Sequence, residues 1–257
     1  MLKTRIIPIM LWDEFGLVKG VGFNPNRRVG SVMPALRVYN ARDVDELVLL
    51  DISASKNGSG PRFSNISEFS KECSVPFTVG GGVSNLAQIE ALLRCGADKI
   101  MLNSSTYRNI ELVENAAKSF GSQCVVVGID YKVIDGVPVC FSNCGTVRQP
   151  IELLEWVKLV ELAGAGEILL TCIDRDGTLN GMDHHTISQV TLSTEIPVIA
   201  AGGARDYSDI LEAIVNSKAS AVAAGSIFQF TEQTPNQLRE NLAAQGVPVR
   251  HSLRLKP

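Results

Sequence analysis

At 257 residues, with 45% hydrophobic residues and a formal net charge of −3, the chain is long for one β-sandwich and suits one eight-stranded α/β barrel. The near-neutral balance without a basic stripe argues against nucleic-acid binding. No run reaches the roughly 18 apolar residues of a membrane helix and the N-terminus lacks a signal-peptide pattern, so no membrane contact and a cytoplasmic location are expected.

Eight apolar, β-branched runs follow one another: RIIPIML from Arg5, LVLLD after Glu46, FTVGG after Pro76, KIMLN after Asp98, VVVGID after Cys124, EILLTCID from Glu167, VIAAGG after Pro197 and AVAAG after Ser220. Near-continuous apolar runs are the signature of parallel strands buried on both faces. Helical stretches lie between them, including Pro34–Asp43, Asn85–Cys95, Leu153–Ala163 and Asp209–Val215. Gly96 and Gly164 follow two of these as C-terminal stop signals. Eight strand–helix units with right-handed crossovers predict a (β/α)8 TIM barrel, α/β in class, as a single domain over residues 1–257. The gaps between run starts are roughly 41, 30 and 22 residues in the first half and 43, 30 and 23 in the second, so the barrel reads as two half-barrel repeats. From about Gly246 the chain reads as a tail over the barrel.

Two long segments follow the first strand of each half, Trp12–Ser31 and Tyr131–Gln149. The first is glycine-rich and carries Lys19, Arg27 and Arg28; the second contains Ile134-Asp135-Gly136-Val137, a hairpin turn signal. Both belong at the C-terminal rim, where barrel active sites lie, and read as lid loops.

Gly80-Gly81-Gly82 and Asn103-Ser104-Ser105 end the third and fourth runs; Gly202-Gly203 and Gly225-Ser226 end the seventh and eighth. Glycines between a strand and a helix let backbone N–H groups close on an anion. Two such clusters in matching places predict two phosphate sites, at Gly81, Gly82, Asn103 and Ser104 and at Gly202, Gly203, Gly225 and Ser226. They suit an elongated ligand phosphorylated at both ends. Between them fall Asp51, Asp130, Thr171, Asp174 and Asp176. Strand alternation puts Val126, Gly128 and Asp130 on one face. Asp130 and Asp176, with Lys19 from the lid, are the candidate catalytic side chains; Asp174 is better read as a partner for turn amides. The repeat fails at one place. Where the second half ends its first strand on Asp130, the first half has Ile9-Met10-Leu11.

Arg5, Glu46, Lys99 and Glu167 each open a strand. From spacing alone they read as solvated rim charges, because a buried ring tolerates desolvation only when paired throughout. The six cysteines contain no C-x-x-C pair and read as reduced thiols; Cys140 and Cys144 lack a neighbouring histidine to complete a metal site. His184, His185 and His251 read as surface residues. No metal and no cofactor are expected.

The motifs Arg5-Ile6-Ile7-Pro8, Val18-Lys19-Gly20, Leu50-Asp51-Ile52, Phe77-Thr78-Val79-Gly80-Gly81-Gly82, Gly164-Ala165-Gly166-Glu167 and Ile173-Asp174-Arg175-Asp176-Gly177-Thr178 carry a resemblance over the whole chain. It resembles the cyclase subunit of imidazole glycerol phosphate synthase. The resemblance implies a glutaminase partner on the N-terminal barrel face near Asp98. It also implies an ammonia gate at Arg5, Glu46, Lys99 and Glu167, and so reverses the rim-charge reading. The family's cyclization uses aspartates at the ends of strands one and five. Asp130 matches the second; Leu11 stands where the first belongs, and Cys144 stands where the family usually has serine. The opening Met1-Leu2-Lys3-Thr4-Arg5 and Leu17-Val18-Lys19 look closer to a paralogous group that lacks the first aspartate. That group works with a glutaminase and an ATP-dependent N-acetyl-sugar amidotransferase to form acetamidino sugars of surface polysaccharides, including O-antigen. Ammonia delivery for acetamidino-sugar formation is therefore the first expectation. A genuine cyclase of histidine biosynthesis and a non-catalytic scaffold that activates the glutaminase are the alternatives.

Overall fold

The computed structural model describes residues 3–250, with backbone alone at 25 and 26; Met1, Leu2 and His251 lie outside the described residues. Its strands are β1 (Arg5–Asp13), β2 (Gly16–Val21), β3 (Asn24–Gly30), β4 (Leu47–Asp51), β5 (Phe77–Gly80), β6 (Lys99–Leu102), β7 (Val125–Ile134), β8 (Val137–Ser142), β9 (Val147–Glu152), β10 (Glu167–Cys172), β11 (Val198–Ala201) and β12 (Ala221–Ala224). Eight of them, in the order β1, β4, β5, β6, β7, β10, β11, β12, pair in parallel. β12 pairs back on β1 and closes the (β/α)8 TIM barrel. Closure leaves no edge in the barrel wall and gives each strand one inward face.

Ile7, Val48, Met101, Val126, Leu169, Ile199, Ala201, Ala221 and Ala223 fill the inside, with Ile9 and Leu50 packed against them. The larger core lies between the outer strand faces and the helices and includes Ile6, Leu49, Phe77, Ile100, Val127 and Ile168. The expected helices form at Val32–Ala41, Leu86–Arg94, Leu153–Leu162 and Tyr207–Val215. Asn85 and Asp206 cap two of them by accepting the Gln88 and Asp209 amides, which supplies donors' partners at helix starts. At Gly96 and Gly164 the chain turns left-handed. The following amides bond back across the helix end, Ala97 to Leu92 and Ala165 to Val160.

The two segments expected as lid loops are instead strands. β1 runs beyond the barrel and folds back as the antiparallel meander β1–β2–β3; β7 does the same as β7–β8–β9. Asp135 and Gly136 both take positive φ, with Ile134 facing Val137, so the expected hairpin turn is present. The matching meanders extend the half-to-half likeness beyond the barrel. Asp13 is used in the β1–β2 turn, where its Oδ1 accepts from the Phe15 and Gly16 amides.

The segment from Gly246 lies at the opposite end of the barrel. Val249 bridges Thr4. Arg239 and Arg250 both clasp Asp43 and Asp45, and Asp45 in turn accepts the Ile6 amide. Arg239 is only 5% exposed. Arg250 would still pair with both aspartates, so Arg239→Ala is expected to cost about 1–2 kcal/mol through lost packing and hydrogen bonds, seen as a lower urea midpoint at unchanged denaturant slope.

Candidate functional site

Side chains from the C-terminal strand ends enclose a cavity of about 1270 Å³, part of it open to solvent. Lys19, Gly81, Gly82, Asn103, Ser104, Asp130, Asp176, Gly202, Gly203, Gly225 and Ser226 all line it. The expected phosphate and catalytic residues therefore share one space. The two glycine clusters have the same geometry. Gly81 and Gly202 have positive φ. A Cβ on Gly81 would lie 2.2 Å from the Asp51 carbonyl oxygen, and one on Gly202 2.6 Å from that of Cys172. Each glycine turns against the end of the neighbouring strand, where a side chain has no room.

Asp130 is buried, and its Oδ2 accepts a 2.8 Å hydrogen bond from Asn103 Nδ2. Burial pushes its carboxyl up to about 7, against the opposing pull of Asn103 and Thr171 and with a further push from the Asp176 charge. Asn103 was expected as a phosphate donor; its amide is turned onto Asp130 instead. The Ser104 hydroxyl accepts from the Asn143 amide at 2.9 Å, so it is tied to the β8–β9 turn.

Lys19 reaches the cavity from β2. Its Nζ lies 3.5 Å from the Ile9 carbonyl and stands over Gly225, where a Cβ would approach it to 2.0 Å. Burial lowers its pKa while the Asp176 charge works to raise it. Burial also raises Asp176, opposed by Lys19 and by the Gly177 amide. The β2–β3 turn is held down over the mouth by a Gly22 amide to Asp176 carbonyl bond of 2.8 Å. Phe23 packs on Val139, Phe141 and Ile173. Arg27 lies over the Phe230 ring and Arg28 over Phe15, away from the cavity lining.

Two other aspartates serve the backbone. Asp51 Oδ1 accepts from the Ser53 and Ala54 amides and the Ser53 hydroxyl, and Oδ2 from Arg62. Asp174 accepts from the Val133 amide at 2.9 Å. Leu11 lines the cavity, and Cys144 lies in it with Sγ 3.4 Å from the Ile52 carbonyl. Lys56 and Ser55 also line it; sequence reasoning missed both, because they sit on a short helix, Ala54–Asn57, with no motif of its own.

At the barrel floor four charges meet. Arg5 bonds Glu46 at 2.9 Å and Glu167 at 2.8 Å, and Lys99 bonds Glu46 at 2.9 Å and Glu167 at 3.1 Å. Thr78 adds a 2.8 Å hydroxyl bond to Glu46, which is 1% exposed. Each cation touches both anions, so the solvated-rim arrangement expected from spacing alone does not form; mutual pairing offsets the desolvation of each charge. Asp98 is exposed beside this end, with Oδ2 accepting the Phe77 amide. Among the described residues no group of His, Cys, Asp and Glu could hold a metal ion, and no helix is long and apolar enough to cross a membrane. The cysteines are unpaired. His184, expected at the surface, is half-buried, its Nε2 2.9 Å from Asp209.

The model of the histidine biosynthesis protein family matches residues 5–234. The chain belongs to this family. It is 41% identical over 250 residues to the imidazole glycerol phosphate synthase subunit HisF of Natranaerobius thermophilus, covering 97% of this chain and 100% of the relative. The same-named subunit of Chlorobium limicola is 39% identical over 250 residues, with the same coverage. A Campylobacter jejuni protein, provisionally named imidazole glycerol phosphate synthase subunit hisF2, is 42% identical over 253 residues, covering 97% and 99%. These names side with the cyclase alternative over the acetamidino-sugar expectation, to which only the hisF2 relative lends weak support.

The Asp130 carboxyl is held above its unfolded value, so the folded chain keeps a proton that the unfolded chain loses between about pH 4 and 7. Its stabilising contribution is full below about pH 4 and is lost as pH rises through 7. Urea unfolding of wild type and Asp130→Asn is expected to show the wild type losing ground to the variant across that window, with a constant gap above it. Parallel stability curves would contradict the assignment.

Proposed function

We propose that the chain is the cyclase subunit of an imidazole glycerol phosphate synthase. It takes ammonia from a separate glutaminase subunit and adds it to the ribulosyl end of a bis-phosphorylated imidazole-carboxamide nucleotide. One observation carries the reading: a single cavity joins two matched glycine clusters with a buried carboxyl poised near pH 7 between them. An acid–base group with a pKa near the working pH is the most effective proton carrier. Gly81 and Gly82 on one side, and Gly202, Gly203, Gly225 and Ser226 on the other, would take the terminal phosphates. The names of the relatives support the same reaction.

The floor ring is the proposed entry gate. Ammonia is small and neutral, and the interior beyond Arg5, Glu46, Lys99 and Glu167 is lined by aliphatic side chains, so it can pass unprotonated once the ring parts. The glutaminase would dock over this end, beside the exposed Asp98. Purified barrel supplied with excess ammonium at high pH is expected to convert the ribulosyl substrate to imidazole glycerol phosphate without the glutaminase. In the two-subunit complex, Lys99→Ala is expected to leave ammonium-driven turnover intact and uncouple glutamine-driven turnover.

Leu11 favours a second reading. It lines the cavity at the position where the resemblance places a carboxylate. A barrel that binds the ribulosyl substrate but forms no product in ammonium would point to a conduit, delivering ammonia to a sugar amidotransferase at the rim for an acetamidino group.

A further inference from the structure

The two glycine cradles match, but the side chains that clip them do not. Gly60, Gly82, Asn85 and Gln88 of the first half recur 121 residues later as Gly181, Gly203, Asp206 and Asp209. Asn85 and Asp206 each accept the amide of the residue three positions on, Gln88 and Asp209. Those two side chains then turn back on the segment in front of their helix. Gln88 Oε1 accepts the Ser84 amide at 2.8 Å, and Asp209 Oδ2 accepts the Arg205 amide at 2.9 Å. Each also lies against a glycine of the preceding loop. A Cβ on Gly60 would come within 3.0 Å of Gln88 Nε2, and one on Gly181 within 3.3 Å of Asp209 Oδ1. These glycines sit in turn against the cavity-lining pair. A Cβ on Gly82 would meet Gly60 at 3.2 Å, and one on Gly203 would meet the Gly181 carbonyl oxygen at 2.4 Å.

From there the halves part. Gln88 is a neutral, half-buried amide, whereas Asp209 is a carboxylate only 3% exposed. Met182 gives its amide to both Asp209 oxygens, at 3.1 and 3.2 Å. The matching residue of the first half is Pro61, which has no amide hydrogen to give. His184 Nε2 lies 2.9 Å from Asp209 Oδ1, and beside it the Gly181 amide donates to the Gly203 carbonyl at 2.9 Å. One buried carboxylate thus joins the loop after β10, the loop after β11 and the start of the helix His184–Ser193.

We propose that Asp209 is a positioning residue: it fixes the second cradle, at Gly202 and Gly203, for the phosphate end of the ligand, while Gln88 holds the first cradle more loosely. The proposal rests on the phosphate-binding part of the cyclase reading and deepens it. Asp209 lies behind the glycines and acts through them, without touching the ligand. Hydrogen bonds to a charged acceptor are roughly twice as strong as those between neutral groups, so the carboxylate holds its loops harder than the glutamine can. A cradle already set in its bound shape takes up an anion without the cost of ordering its loops. The two ends of a bis-phosphorylated ligand therefore meet unequal sites, one set in advance and one that adjusts.

The test titrates the isotope-labelled full barrel with inorganic phosphate and follows the Gly82 and Gly203 amide resonances separately. Asp209→Asn leaves one acceptor oxygen where the donors now use two. It is expected to weaken the phosphate affinity read at Gly203 about tenfold and to leave that at Gly82 unchanged. Gln88→Ala is expected to weaken Gly82 alone, by about two- to threefold. Arg239→Ala, in the clasp at the other end of the barrel, lowers stability and is expected to change neither. With the ribulosyl substrate in excess ammonium, Asp209→Asn is expected to raise KM and hold kcat, the mark of lost binding rather than lost chemistry. Should Asp209→Asn fail to fold, His184→Ala decides: it removes one contact of the carboxylate and is expected to weaken Gly203 alone, by a smaller factor. A wild-type Gly203 response in the deciding variant overturns the proposal. So does equal weakening at both glycines, which would make Asp209 a residue of general stability. No phosphate response at either glycine of the wild type overturns the cradle reading, and the proposal with it. Selective weakening at Gly203 in a barrel that forms no product in ammonium upholds the proposal and overturns the cyclase reading alone.

Discussion

Closing eight parallel strands on themselves commits every second residue to the inside, and most of the molecule follows from that constraint. The inside has a fixed width and no water to spare, so it accepts aliphatic side chains through the middle and tolerates charge only at its ends. At one end the charge is neutralised within the protein. Arg5 and Lys99 each touch Glu46 and Glu167, leaving no member of the ring with a single partner. At the other end the charge is left partly unresolved. Asp130 has one amide donor, and Lys19 has a carbonyl at the long limit of a hydrogen bond. A closed floor and an unsatisfied mouth give the barrel a direction. The end held by paired ions resists ligands unless the ring parts, and the end with spare hydrogen-bonding capacity invites them.

The barrel was legible because its signal is local. Each barrel strand is an apolar run whose start can be read to within a residue or so, and several helices start on a capping side chain or stop at a glycine, signals that act within one turn. The hairpin at Asp135-Gly136 was legible for the same reason, since two left-handed residues in sequence permit few other turns. The meander β1–β2–β3 was not. β2 is short and broken by Gly16 and Gly20, and β3 is polar, with Asn24, Arg27 and Arg28 exposed, so neither shows the alternation that marks a strand; they form because β1 continues past the barrel and offers an edge.

The site was legible in composition but not in connection. That glycines, aspartates and a lysine would gather at one mouth followed from their place after strand ends. Which atoms would pair did not. Asn103 was assigned to a phosphate, since its position after a strand says nothing of Asp130 across the β6–β7 boundary. Arg5 and Glu167 open strands that are far apart in sequence, and only barrel closure brings them within 2.8 Å. Arg239 and Arg250 carry no sequence signal of their own. Their partners Asp43 and Asp45 lie in a connecting loop, and nothing in either segment announces the other.

The half-barrel repeat gives the asymmetry at the mouth its weight. Two halves that share strand spacing, glycine clusters and an antiparallel meander are built to present equivalent groups, so a difference at equivalent strand ends marks a place where the two faces do different work. A leucine there contributes apolar surface and removes a carboxylate that would otherwise stand near the Lys19 ammonium. An ammonium facing a carboxylate at close range would be held protonated. Buried beside the Ile9 carbonyl, it has its pKa lowered by desolvation, with the Asp176 charge opposing the shift. The first half therefore meets the cavity with Leu11 at its strand end and with a buried lysine carried in by the meander, where the second half presents a carboxylate.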